Sequence, residues 1–274
     1  MNDLVLGLDP SLSDIPSQYV QGHPDILQWG QDVITACESY INGVKFQSAY
    51  FESLGLNGLN CLAELMAFTR SMGLKIIMDA KRGDIGSTSM AYAQAYLKKG
   101  HTEFESDFLT VNPLMGDDCL QPFVDVALEN NKGIFILLET SNNGADMILK
   151  ETTQDSRQIN EKIADFIQYN YQSIQCNSNE LGPIGCVIGA TNTNVGHWRK
   201  KLPQSLFLMP GIGAQSGSWS SIKSCLNNNG GGVMIPISRG ITKPDNQNIS
   251  ITEYKHMVKK KSQFFHSEIR SKLS

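Results

Sequence analysis

The densest chemistry in this chain is the run KIIMDAKRGDIGST, residues 75–88, which carries Asp79, Lys81 and Asp84 with Ser87 and Thr88 just beyond. Side chains alternate faces along a strand, so Asp79 and Lys81 point one way and Ala80 the other. Taken alone, DAKRGD reads as a solvated turn. The apolar Ile76-Ile77-Met78 ahead of it places the charges at the end of a buried strand instead. Lys45, in the run GVKFQ, would stand next door on an adjacent strand. Two lysines interleaved with two aspartates can all stay ionised, because each charge is flanked by opposite ones. Their protons then belong to the set rather than to any one residue. Burying such a set for stability alone is expensive, and that cost favours a functional reading.

Eight apolar or β-branched runs could position these groups: Leu4–Leu8, Gly43–Phe46, Lys75–Met78, Phe108–Val111, Gly133–Leu138, Ile184–Gly189, Leu206–Met209 and Gly232–Ile237. Helical stripes lie between them, such as Leu59, Leu62, Ala63 and Met66, or Ile159, Ile163, Phe166 and Ile167. Continuously apolar strands alternating with amphipathic helices predict a parallel sheet covered by helices. Eight such units favour an α/β fold of one domain over residues 1–274, a closed (β/α)8 TIM barrel. Each run stops at polar or turn residues: Asp9, Lys45 with Gln47, Asp79 with Lys81, Asn112, Thr140-Ser141, Thr191, Pro210-Gly211 and Ser238-Arg239. In a barrel these ends converge on one mouth. Pro236 strains the pattern, because proline removes a ladder donor and normally demotes a central strand. The NNNGGG stretch, 227–232, reads as a turn rather than a linker between domains.

Composition narrows the partners. With 23 Lys+Arg against 27 Asp+Glu, the net charge of −4 gives no electrostatic reason to bind nucleic acid. The basic run Lys259-Lys260-Lys261 reads as a solvated helix face. The N-terminal residues lack the basic region of a signal peptide, and no apolar run approaches the ~20 residues that cross a bilayer. A cytoplasmic protein without membrane contact is expected. Six scattered cysteines read as reduced core thiols, and the five histidines have no metal-ligand spacing.

The Asp-x-Lys-x-x-Asp pattern of Asp79, Lys81 and Asp84 is preceded by GLDPS and GVKFQ and followed by ETSN, MPGIGAQSG and ISRGI. In that order these motifs resemble the orotidine 5′-phosphate decarboxylase family over nearly the whole chain. VNPLMGDD, after the fourth run, is similar to its longer bacterial subgroup. The resemblance implies decarboxylation of a small-molecule substrate, orotidine 5′-phosphate, to UMP, the last step of de novo UMP biosynthesis, with no metal or organic cofactor. It implies that Lys81 stabilises and protonates the carbanion at C6. Asp79 would lie near the departing carboxylate, with Lys45 and Asp84 holding the network in register. By the same resemblance Asp84 and Thr88 reach into the partner's site, making the active unit a homodimer with shared sites. Asp9 matches the ribose-binding aspartate and Ser141 the serine that hydrogen-bonds the pyrimidine. Gln215, Arg239 and Gly240 match the residues that grip the 5′-phosphate, where barrels often bind phosphate.

The chain also departs from that pattern. Ser141-Asn142-Asn143-Gly144 stands where Ser-Asn-Pro is expected, and Glu139 where a basic or neutral residue is usual. The stretch from Asn142 to about Ser156 is long for a barrel loop, which suits a lid. Two other readings compete. A magnesium-dependent sugar-phosphate enzyme of the same superfamily, such as a hexulose phosphate synthase, needs an acidic metal ligand near Lys45, where an ammonium would repel the ion. A noncatalytic nucleotide-binding barrel would be expected to have lost one of the four charges.

Overall fold

In a computed structural model, which describes residues 3–22, 24–174, 181–193, 195–213 and 216–273, eight parallel strands close into a barrel in sequence order. They are β1 (Asp3–Leu8), β2 (Gly43–Gln47), β3 (Lys75–Arg82), β4 (Phe108–Val111), β5 (Gly133–Glu139), β6 (Gly182–Ile188), β7 (Ser205–Leu208) and β8 (Val233–Ile237). Every expected strand is present, each with helix outside it, because both faces of these strands are apolar. Val5, Ile77, Phe135, Val187, Leu206, Leu208 and Met234 fill the barrel interior, and the intervening residues such as Leu4, Leu6, Ile76 and Met78 pack outward on the helices.

β3 runs farther than its apolar stretch suggested, so Asp79 and Lys81 lie on the strand itself. Alternation alone does not orient them. The register between β3 and β4 shifts from Met78↔Leu109 to Arg82↔Val111, and Lys81 takes a left-handed backbone, φ +47°. A non-glycine residue rarely adopts that conformation, and it concentrates at functional sites.

Pro236 does not demote β8. The carbonyls of Gly232 and Met234 accept from the Phe207 and Met209 amides, so alternate residues of β8 face β7. Pro236 continues that series one step past Leu208↔Met234, the last β7–β8 pair, so its missing N–H ends the ladder at the mouth instead of interrupting it.

The turn at 227–232 tightens around Asn227, whose side chain accepts from the Asn229 and Gly231 amides. The five described cysteines are free thiols; Cys176 lies outside the described residues. Lys259 and Lys260 are exposed on the helix Ile251–Lys272, as a solvated face requires, whereas half-buried Lys261 donates to the Lys243 carbonyl (2.8 Å). No helix among the described residues is long and apolar enough to cross a membrane.

The lower ends of β7 and β8 are tied by a residue the sequence did not flag. Arg199 is buried and donates to the carbonyls of Cys225 (2.8 Å), Leu202 (3.1 Å), Pro203 (3.3 Å), Ser205 (2.6 Å) and Gly232 (2.8 Å). Its guanidinium also lies 3.8 Å over the Phe207 ring. Burial pulls its pKa down, yet five carbonyl dipoles satisfy the fork without a carboxylate. Arg199→Met takes a donor from each of those five carbonyls, so it should cost about 3–5 kcal/mol in urea unfolding. Because the side chain sits at the opposite end from the mouth, kcat and KM of the folded fraction should stay unchanged; a loss of activity without a loss of stability would contradict this assignment.

Candidate active site

A cavity of about 450 Å³ opens at the C-terminal mouth of the barrel. Its floor is the layer of inward residues above the apolar plug: Lys45 on β2, Asp79 on β3, Thr110 on β4, Leu137 on β5 and Pro236 on β8. The register Lys45↔Ile77 and Gln47↔Asp79 sets the two strands so that the lysine reaches the aspartate from below.

Asp79 is the hub. One carboxylate oxygen, Oδ2, accepts from Lys45 Nζ (3.0 Å) and Gln47 Nε2 (3.1 Å). The other, Oδ1, accepts from Lys81 Nζ (2.6 Å) and Thr110 Oγ1 (2.9 Å). Thr110 Oγ1 in turn accepts from the Lys81 amide (3.0 Å), which secures the left-handed backbone there. Asp79 and Lys45 are both buried, whereas the Lys81 side chain is about half exposed toward the mouth. Burial by itself would raise the Asp79 pKa, but the two ammoniums and their hydrogen bonds outweigh it and hold the carboxyl below the ordinary range. Burial would likewise lower the Lys45 pKa, and Asp79 and Asp9 reverse it to a net rise.

Asp9 completes the base of the cavity. Its Oδ2 accepts from Ser238 Oγ (2.6 Å), and its Oδ1 lies 3.9 Å from Lys45 Nζ, buried and without a hydrogen-bond donor. Ser141 and Arg239, just past the ends of β5 and β8, line the same cavity. Gly240 follows Arg239 in the short helix Arg239–Thr242, where a Cβ would stand 2.9 Å from Ile237 Cγ2, so its smallness lets that helix turn over β8. Gln215 lies outside the described residues.

Asp84 and Thr88 are not brought to the cavity within one chain. Asp84 accepts from the Ile85 amide (2.8 Å), and Thr88 is exposed in the first turn of the helix Gly86–Leu97. Of the polar strand ends, Asn112 instead caps its own loop by accepting from the Leu114 amide (3.0 Å). Thr110, two residues earlier, takes the inward place; period-2 alternation from Phe108 carries that signal. Gln47, Asn142 and Ser238 also belong to the cavity lining.

Glu139 stays out of the cavity. A register shift between Leu137↔Val187 and Glu139↔Ile188 turns its side chain outward, where it accepts from the buried Trp198 Nε1 (2.5 Å). Thr140, Ser141 and Asn142 then follow along the cavity wall. Gly189 permits the close passage of Ser141, since a Cβ there would meet Ser141 Cβ at 2.7 Å.

The profile of the orotidine 5′-phosphate decarboxylase / HUMPS family matches residues 3–254. An orotidine 5′-phosphate decarboxylase from Rhodopirellula baltica is 35% identical over 249 residues, covering 86% of this chain and 82% of its own. That from Deinococcus radiodurans is 35% identical over 242 residues, covering 87% and 83%. The structure of Leishmania donovani OMP decarboxylase aligns with a TM-score of 0.72 at 27% identity, covering 95% of this chain and 93% of that one.

Asp79→Asn should expose the electrostatics of the hub. The folded-state pKa of Asp79 lies below its unfolded value, so its stabilisation is present above about pH 4 and lost as the pH falls through the depressed value. The variant should be less stable than wild type by about 3–5 kcal/mol at pH 7. Urea midpoints should show that gap narrowing toward pH 3; a gap independent of pH would mean the charge is not what Asp79 contributes.

Proposed function

The chain belongs to the orotidine 5′-phosphate decarboxylase / HUMPS family, and on that premise we propose that it is a carboxy-lyase converting orotidine 5′-phosphate to UMP and CO2. The observation that carries this reading is Asp79 held between Lys45 and Lys81 at the floor of the mouth cavity. Heterolysis of the C6–carboxylate bond leaves an electron pair on a vinylic carbon with no adjacent carbonyl to take it up. A preorganised ammonium is the group that stabilises such charge, because it needs no reorganisation as the charge develops. Lys81 supplies it and then transfers a proton from Nζ to C6; solvent restores the ammonium. Asp79 orients that ammonium beside the scissile bond, and Lys45 keeps Asp79 ionised.

The rest of the substrate spans the mouth. Asp9 Oδ1, buried and lacking a donor, suits a ribose hydroxyl. Ser141 faces the pyrimidine, and Arg239 with Gln215 and Gly240 takes the phosphate, for which a guanidinium fork is suited. Grip on the phosphate, remote from C6, supplies binding energy that aligns the ring. Of the long stretch after β5, whose length suits a lid, only Asn142 lines the cavity, next to Thr140 and Ser141.

A homodimer accounts for Asp84 and Thr88. Beside them Ile85, Leu114 and Met115 are 60%, 66% and 51% exposed, and the Asn112 amide joins the two loops by donating to the Arg82 carbonyl (2.8 Å). Apolar side chains grouped around a carboxylate that misses its own cavity fit a face that closes on a second copy.

Incubation of purified protein with orotidine 5′-phosphate in EDTA should give the absorbance change of conversion to UMP; no conversion by folded protein would reject the reading. Lys81→Ala should abolish turnover and leave the fold intact by circular dichroism, whereas wild-type turnover would remove Lys81 from the chemistry. Mixed Lys81→Ala and Asp84→Ala subunits should regain part of the activity through heterodimers holding one intact site. If subunits exchange and nothing returns, Asp84 does not act across the interface.

A further inference from the structure

We infer that Glu139 and Lys150 form a clasp that positions the Thr140–Asn142 wall of the cavity and thereby sets affinity for the nucleotide. Three elements meet at this carboxylate. Glu139 ends β5, Trp198 comes from the helix Gly196–Lys201 after β6, and Lys150 comes from the long connection that follows Asn142. Glu139 Oε2 accepts from Trp198 Nε1, and Oε1 lies 3.8 Å from Lys150 Nζ. Lys150 Nζ is also 2.8 Å from Asp146 Oδ1, in the single turn Ala145–Met147. One ammonium therefore links the barrel rim to the loop.

Packing does not call for a charge at position 139. The side chain is buried, and a glutamine oxygen could also accept from Trp198, though more weakly. A buried carboxylate costs free energy unless it is compensated. What the charge adds over an amide is attraction for Lys150, and so for the loop. Independent contacts hold the same rim on its backbone side: Asn192 Nδ2 donates to the carbonyls of Glu139 and Thr140, both at 3.1 Å. With the main chain fixed by Asn192, the clasp governs the next segment, Ser141 and Asn142, and the connection beyond. That connection is itself closed by the bridge Thr152↔Gln158 and by the Asn160 amide donating to the Leu149 carbonyl (2.9 Å), so a pull at Lys150 moves a folded unit rather than a slack chain. Neither Glu139 nor Lys150 lines the cavity; both act through the residues that do.

The inference rests on the nucleotide occupying this cavity, and the test separates the two. Glu139→Gln and Lys150→Ala should each raise KM for orotidine 5′-phosphate about three- to fivefold, the range open to a partly exposed ion pair, with kcat within about twofold of wild type. The double variant should be no worse than either single, and Lys150→Arg should restore wild-type KM. Affinity for UMP by titration calorimetry should fall in the same proportion, which reads the clasp without chemistry. Unchanged KM and UMP affinity in both singles would overturn the clasp, as would losses that simply add in the double variant. Failure of the wild type to decarboxylate while it binds UMP would instead overturn the reaction, with UMP affinities still deciding the clasp.

Discussion

A carboxylate that has left water must be met by positive charge, and in this barrel Asp79 is met twice. The ammonium of Lys45 approaches from β2 and that of Lys81 from β3 itself, while Gln47 and Thr110 occupy the remaining acceptor sites. The demand is stringent because an unpaired buried charge costs several kcal/mol. It dictates the β2–β3 register, the shift in β3 against β4 and the left-handed turn of Lys81, since each brings a donor within reach. The same arrangement leaves Lys81 poised, with its terminal group bonded on one side and open to the cavity on the other.

Much of this was legible from residue order. Apolar runs ending in polar residues identify the strands because the interior of a parallel barrel excludes charge, so the first charges after each run mark its mouth. That Asp79, Lys81 and Lys45 would share one cavity was legible for that reason, and six motifs in order pointed to Asp9, Ser141 and Arg239, which line it too. What escaped depends on irregularities that no period encodes. The bulge before Arg82 orients Lys81, and another before Glu139 turns that carboxylate away from the cavity it would enter by alternation. Arg199 escaped because its partners are backbone carbonyls, which leave no trace in side-chain spacing.

Pro236 illustrates the same limit from the other direction. As a residue type it argues against a central strand, yet its nitrogen falls one step past the last β7–β8 pair, at the end of the ladder. The penalty attached to proline is a penalty on a missing bond, and here the missing bond is only the last of the ladder. Strand lengths on either side, which are a tertiary property, decide whether the rule applies.

The seam between β7 and β8 is short, with only Phe207↔Val233 and Leu208↔Met234 in register against five such pairs between β2 and β3. Arg199 sutures it below. Above it the Met209 amide makes one more bond, to the Met234 carbonyl, and the two loops that rise there are the ones proposed for the phosphate. On the proposed reading, a dianion gripped from both sides would be the upper stitch of the same seam, tying nucleotide binding to closure of the barrel wall.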